Sequence, residues 1–404
     1  MNAQDEKFMQ SALKLAEKSI GSVEPNPAVG CIIVKAGQLI GKGYHKKFGG
    51  PHAEVNAIED CRTLGMTPQG ATMYVTLEPC CHTGKTGPCT QAVIGAGVAR
   101  VVAATVDPSA HAGGKGLGQL RQAGIEVEVG LCEQGARQLN APFFKHVATG
   151  QCWVILKWAQ SIDGKLAYAD QSQERRWITN EASRSDAHRL RRRAGAIIVG
   201  INTVLADDPL LTPRPSKGRE PVRVVLDSSL RTPLGCRLLQ TTKTSAVLIY
   251  THKAAVEANT EHADKIRKRG AELLVYEGPS QPAAPGQSQA DTSNIKHQTS
   301  NLDLPFLLAD LSKRGVQQVL VEGGPHVAVS FLQDRLVDEV CVYIAPKVLG
   351  SGGTASIGEP MASLGQAVGL HHVQIKAFGE DVRISGRLEH EVAMEEVLDK
   401  RNPR

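Results

Sequence analysis

Four residues in the first quarter of the chain have the types and spacing to hold a metal and move a proton. His52 and Glu54 stand two apart in PHAEV (51–55), and Cys80 and Cys89 bracket the loop in PCCHTGKTGPC (79–89). One imidazole and two thiolates suit zinc and leave the fourth tetrahedral position to water. Zinc lowers the pKa of such a water, and the two thiolates offset the charge of the ion. Glu54 is close enough in sequence to reach that water without being a ligand. It can take the proton and deliver it to a leaving amine. Pro88 directly before Cys89 predicts that this thiolate opens a helix, where the dipole favours an anion. The alternative is a closed structural site with Cys81 or His82 as fourth ligand, which leaves Glu54 without a role. Cys81, His82, Thr83, Gly84 and Lys85 lie between two ligands, so they border the site. His82 and Lys85 suit a phosphate or ribose there, unless the loop is merely solvated.

An H-x-E…P-C pattern is the signature of zinc deaminases that act on amino-pyrimidines and amino-purines. Eight residues separate the two cysteines, where two is the commoner spacing. In the second half of the chain, Gly323 and Gly324 fall between a predicted strand and a helix opening at Pro325. Such a turn lets backbone N–H groups approach a phosphate at a helix start. The run Arg189–Arg193 carries guanidinium groups that can fork around a phosphate monoester, although such a run is commonly a solvated helix face.

Periodicity supplies the elements that must position these groups. Asp5–Ile20 has a helical spacing of apolar residues, Ala28–Val34 is an apolar run, and a turn-rich stretch follows it to Pro51. A helix starts near His52, and a short one opens around Pro88 between strand-like Ala71–Leu77 and Val98–Val106. Ile125–Val129 alternates as a strand. From Cys152 onward strand-like runs recur at Trp153–Leu156, Ala196–Val199, Val222–Leu226, Ala246–Tyr250, Leu273–Tyr276, Val319–Val321, Val340–Ile344 and Val382–Ile384. Helical stretches lie at Asn180–Arg193, Ala254–Arg269, Pro305–Lys313 and Pro325–Asp334. Strands alternating with helices predict a largely parallel sheet with helices on its faces. His146–Gln151 is the expected linker. Gly278–Asn301, rich in Pro, Gln, Ser and Asn, reads as a mobile surface insertion.

Composition narrows the function. The 404 residues are 41% hydrophobic and 22% charged, enough for packed cores and about two or three domains. A net charge of +5 and 4% aromatic residues do not make the basic, aromatic-lined groove of a nucleic-acid binder. No apolar run reaches the roughly 20 residues that span a bilayer, and MNAQDEKFMQ does not read as a signal peptide. Nine cysteines, an odd count, argue against a disulfide framework. The expected location is cytoplasmic.

PNPAVG (25–30), GYH (43–45), HAEV (52–55) and TLEPCCHTGKTGPC (76–89) resemble the deaminase half of the bifunctional riboflavin-biosynthesis deaminase/reductase (RibD, or RibG) family. KWAQSIDGKLA (157–167), WIT (177–179), TVLADDPLLTPR (203–214), VRVVLD (222–227) and VEGG (321–324) resemble its reductase half, in the family's order. The resemblance implies an α/β protein with a cytidine-deaminase-like three-layer domain (1–148) and a dihydrofolate-reductase-like domain (152–395). The first would replace the 2-amino group of a diamino-pyrimidinone ribosylamino 5′-phosphate with oxygen and release ammonia. The second would use NADPH to reduce the ribosyl group to ribityl.

By the same resemblance His52, Cys80 and Cys89 hold one Zn²⁺ and Glu54 shuttles protons. Asn26 and His45 contact the pyrimidine or ribose, with His82 and Lys85 near the sugar phosphate. Ala159, Trp177, Thr203, Asp207 and Ser228 fall on cofactor positions beside Gly323 and Gly324. Arg191, Leu211, Arg214 and Glu322 fall on substrate positions. The loop DQSQERRW (170–177) departs from the family's compact one, so no serine contact is carried over, and Arg175 or Arg176 could stand in on the phosphate. The expected partner is a small pyrimidine ribosyl phosphate, with no nucleic acid or membrane, and the expected assembly is a homo-oligomer, dimer or tetramer.

Overall fold

The computed structural model describes residues 3–83, 87–109, 112–167, 177–214, 220–278, 302–352 and 367–388. Lys85, the loop 170–176 and the expected insertion from residue 279 to 301 lie outside the described residues. The chain divides into two compact units, Met1–Gln151 and Cys152–Arg404.

The first unit starts with α1 (Ala3–Ala16), whose Met9, Ala12 and Ala16 are buried. Strands β1 (Gly30–Lys35) and β2 (Gln38–Tyr44) follow as a hairpin. Ala36 and Gly37 both take positive φ (49° and 76°), the geometry that matches a tight hairpin to strand twist. β2 lies inside the stretch expected to be turn-rich, where no strand was expected. Its sequence, QLIGKGY, conceals it because glycines are poor strand formers. They are there for close approach: a Cβ on Gly43 would lie 2.4 Å from both Ala53 O and Ala57 N of α2 (Ala53–Thr63). Gly43→Ala is therefore expected to destabilise this unit by about 1–3 kcal/mol, read by denaturant unfolding.

The unit continues with β3 (Thr72–Val75), α3 (Cys89–Gly95), β4 (Arg100–Ala103), α4 (Lys115–Gln122), β5 (Glu126–Val129), α5 (Glu133–Leu139) and α6 (Ala141–Thr149). The sheet order is β2-β1-β3-β4-β5, with β1 antiparallel to both neighbours and β3, β4 and β5 parallel. Alternate residues face opposite sides, so the sheet has two cores. Ile32, Val34, Tyr74 and Val102 pack with Met9 and Ala12 of α1 and Ala136 of α5. Cys31, Ile33, Met73, Val75 and Val101 pack with residues of α2, α3 and α4. The result is three layers. The expected linker at 146–151 is shorter than predicted, because α6 continues through Thr149 and ends on Gly150 at φ 69°.

The second unit contains β6 (Trp153–Ser161), α7 (Glu181–Arg193), β7 (Ala196–Gly200), α8 (Ile201–Asp207), β8 (Val222–Leu226), α9 (Arg237–Gln240) and β9 (Val247–His252). After them come α10 (Lys253–Ala258), α11 (Thr260–Lys268), β10 (Glu272–Tyr276), α12 (Leu304–Lys313), β11 (Gln318–Val321), α13 (Pro325–Gln333), β12 (Glu339–Ala345), β13 (Leu370–Phe378) and β14 (Asp381–Leu388). The nine strands run β10-β9-β8-β7-β11-β6-β12-β14-β13, parallel as far as β12, with β14 antiparallel to both of its neighbours. The strands covered on both faces read as continuous apolar runs: Val154–Leu156, Ile197–Val199 and Val319–Val321 are fully buried.

Two expectations change here. The single helix expected at 254–269 is broken at Asn259 into α10 and α11. Strand β13 went unread because most of it is exposed, so HHVQIKA carries no buried alternation.

Candidate functional site

Two helix starts and one loop meet in the first unit. His52 is the N-cap of α2 and puts Glu54 in its first turn, while Pro88 caps α3 so that Cys89 is its first residue. Cys80 follows β3 by a short loop. His52 Nδ1 lies 3.5 Å from Cys80 Sγ and 3.2 Å from Cys89 Sγ, and one donor atom from each of the three falls within 4.8 Å of the others. With zinc–sulfur and zinc–nitrogen bonds of about 2.3 and 2.0 Å, a tetrahedral edge between S and N measures about 3.5 Å. The spacing and donor chemistry fit a zinc ion. Neither Cys81 nor His82 joins this group among the described residues, so three protein ligands stand together, the open arrangement.

The Cys80 thiol is drawn down by hydrogen bonds from Cys89 and His52, which favour the thiolate a metal needs. Burial pushes the Glu54 carboxyl up to about 7, with a further push from Cys80. A carboxyl poised there exchanges protons readily near neutrality.

These groups open onto a cavity of about 330 Å³ lined by Asn26, His45, Phe48, His52, Glu54 and Cys80, with His82, Asp107 and Ser109 also in its wall. Phe143 and Val147 of α6 supply an apolar side. His45 is 2% exposed, and its Nδ1 lies 3.0 Å from Pro51 O. A carbonyl only accepts, so Nδ1 carries the proton. Burial holds the His45 pKa below its ordinary value, which keeps the ring neutral and makes Nε2 an acceptor. Asn26 Nδ2 donates to that Nε2 at 3.2 Å, so the Asn26 Oδ1 is oriented as an acceptor. His82 is exposed at the cavity rim, and the placement of Lys85 is outside the described residues.

In the second unit the expected cofactor positions other than Trp177 fall on, or shortly after, four adjacent strands. Ala159 is in β6, Gly323 and Gly324 follow β11, Thr203 and Asp207 ride on α8 directly after β7, and Ser228 follows β8. Carboxyl ends of parallel strands are where open α/β sheets bind ligands. A Cβ on Gly323 would lie 2.5 Å from Val327 Cβ, so the first turn of α13 folds tightly over this residue. Gly324 caps the helix with no side-chain bond and has open space where its Cβ would be. That bare helix start fits a cofactor phosphate. Trp177 is 58% exposed, with the Arg184 guanidinium 5.2 Å from its ring centre.

Of the four expected substrate positions, the structure pairs two. Arg191 grips Glu322 through Nε at 3.0 Å and Nη2 at 2.6 Å, and its Nη1 reaches Thr212 O at 3.4 Å. Burial alone would raise the Glu322 pKa, but Arg191 and Lys157 outweigh it and hold the carboxyl at about 2. Leu211 is buried with φ 55°, a left-handed conformation uncommon for a branched residue, and Arg214 is exposed beyond it. His188 was missed from sequence. It sits one turn before Arg191 on α7 with Nδ1 buried and unpartnered, and burial with Arg191 and Arg214 depresses its pKa to about 4. Only its spacing from Arg191 could have marked it.

Comparison with known proteins gives consistent matches. The family model "RibD C-terminal domain" matches residues 152–384, and "Cytidine and deoxycytidylate deaminase zinc-binding region" matches 2–105. The riboflavin biosynthesis protein RibD of Aquifex aeolicus is 40% identical over 94% of this chain and 97% of that protein. RibD of Escherichia coli is 39% identical over 94% of this chain and 98% of its own length. Among solved structures, Acinetobacter baumannii RibD superposes with a TM-score of 0.77 at 37% identity, covering 95% of this chain and 99% of that one. A Thermotoga maritima diaminohydroxyphosphoribosylaminopyrimidine deaminase/5-amino-6-(5-phosphoribosylamino)uracil reductase gives 0.76 at 32% identity, over 95% and 99%. The matched zinc-binding region ends at residue 105, whereas the cavity also takes walls from Asp107, Ser109, Phe143 and Val147.

Proposed function

The chain belongs to the RibD family of riboflavin-biosynthesis deaminase/reductases, and from that premise we propose that its two units carry out consecutive steps on one pyrimidine ribosyl phosphate. Residues 1–148 deaminate 2,5-diamino-6-ribosylamino-4(3H)-pyrimidinone 5′-phosphate hydrolytically. Residues 152–395 then reduce the ribosyl group to give 5-amino-6-ribitylamino-uracil 5′-phosphate. The observation that carries this reading is the shared cavity wall: His52 and Cys80, which cluster with Cys89 as metal donors, and the buried Glu54 carboxyl line one small-molecule-sized space.

His52, Cys80 and Cys89 hold Zn²⁺, which when bound makes a water acidic enough to attack near neutral pH. Glu54 takes a proton from the attacking water and passes it to the departing amino nitrogen. Oxygen stays on the ring and ammonia leaves. Asn26, oriented by His45, accepts a hydrogen bond from the ligand through Oδ1. His82 and Lys85 border the sugar phosphate. In the second unit bound NADPH would supply the hydride. Ala159, Trp177, Thr203, Asp207, Ser228, Gly323 and Gly324 bind it, while Arg191, Leu211, Arg214 and Glu322 shape the substrate side.

The chain works in the cytoplasm as a homo-oligomer. Edge strand β13 exposes Val373 and Ile375 by 50% and 73%, a surface suited to a second copy.

Mass-spectrometric product analysis tests the pair of activities. Zinc-loaded protein with the diamino substrate should yield a deaminated product without NADPH and a deaminated, reduced product with it. Deamination alone in both tubes would remove the reductase assignment. No conversion in either would remove the substrate.

A further inference from the structure

Glu78 lies two residues before Cys80 and lines the cavity, yet its carboxylate is fully engaged elsewhere. Oε2 accepts from Asp107 N at 3.1 Å and Gly114 N at 2.9 Å. Oε1 accepts from Gly116 N at 2.8 Å and Leu117 N at 3.3 Å. A carboxylate has about four lone-pair sites, so these four N–H groups saturate it and leave none for a ligand. Two of the donors are the orphan N–H groups in the first turn of α4, whose N-cap, Gly114, has no side chain to offer. Glu78 is thus a helix cap supplied from 36 residues away.

The capped segment is part of the deaminase cavity. Asp107 and Ser109 stand in its wall, and Asp107 in turn accepts from Ser109 N at 2.8 Å. The start of α4 is also pressed against the chain beside the first thiolate: a Cβ on Gly116 would fall 2.1 Å from Pro79 O. Farther along α4, Gln119 accepts from Thr90 Oγ1 at 2.9 Å, next to Cys89 in α3. One buried carboxylate therefore ties the cavity wall at 107–109 and α4 to the strand end that leads to Cys80.

We propose that Glu78 is a positioning residue of the deaminase, setting the 107–109 wall against which the pyrimidine ribosyl phosphate binds. The proposal rests on the function given above and adds a residue whose effect passes through the loop rather than through contact with the ligand. A loosened wall weakens substrate binding more than it alters the proton transfer at Glu54, so the effect falls on KM.

Steady-state kinetics of the full-length zinc enzyme test it. Glu78→Gln turns an amide NH₂ toward backbone donors and breaks half of the array. Gly116→Ala keeps the carboxylate but forces α4 off Pro79 O. Gly118→Ala, on the same helix with nothing within 4 Å of its added Cβ, is the control. Deaminase KM is expected to rise about tenfold in the first two, with kcat within about threefold of wild type. Zinc content should stay at one per chain, reductase rates on deaminated substrate unchanged, and Gly118→Ala as wild type. An unchanged KM in Glu78→Gln overturns the proposal, as does loss of zinc or of both activities together. Should Glu78→Gln not fold, Gly116→Ala decides: the same KM rise supports the proposal and an unchanged KM refutes it. Absence of deamination by wild type would instead remove the functional assignment itself.

Discussion

Glu54→Gln is expected to lower deaminase kcat by about 10²–10⁴-fold while the reductase runs at its normal rate. The amide matches the carboxylate in shape and still accepts a hydrogen bond, so the substitution removes little except the ability to carry a proton. The buried carboxyl has its pKa raised to about 7, the range in which one group can both take and return a proton. Its ligand neighbours are separate residues, so zinc content should not change. Ammonia release at saturating substrate, with metal analysis alongside, checks the result. A variant keeping more than about a tenth of wild-type kcat would show that another group moves the proton.

The second large effect is expected at the Arg191–Glu322 pair. Glu322→Gln leaves a guanidinium in a site that is 21% exposed, with nothing to balance its charge. Breaking a buried pair in this way costs about 3–5 kcal/mol, and reductase activity should fall with it. Removing both charges, in Arg191→Met with Glu322→Gln, should recover most of the stability and none of the reductase activity. The same pair predicts an acid limb. The folded-state pKa of Glu322 is lowered from 4.5 to about 2, so its contribution is fully present above pH 4.5 and is lost as pH falls toward 2. The size is about 3 kcal/mol. Urea unfolding of wild type and Glu322→Gln at pH 7 and pH 3 should show the gap between them narrowing at the lower pH.

The zinc constellation was legible because its chemistry is local and compositional. His52 and Glu54 share one helix start, and a Pro–Cys step announces another. The parallel sheet was legible for a similar reason: strands buried on both faces have to be apolar throughout. What escaped had no such mark. β2 is hidden by the glycines that let it touch α2, and β13 by having no buried face. Glu78 looks like any acidic residue beside a turn. Its role depends on donors at 107, 114, 116 and 117 that only the folded chain brings to it. His188 was lost in a basic run, since periodicity says which residues share a helix face but not which of them is buried beside arginines.

Helix α6 has a practical meaning for anyone dissecting this protein. It comes last in the first unit, well after the zinc-binding region, and still lends Phe143 and Val147 to the cavity. A fragment cut at residue 140 would keep the three proposed metal ligands and the proposed proton shuttle, yet leave the cavity without the side formed by Phe143 and Val147. The place to separate the two activities is Gly150–Gln151, where α6 has ended and β6 has not begun. Stand-alone deaminases engineered from this scaffold should therefore be judged by how their last helix is kept, before any change is made near the metal.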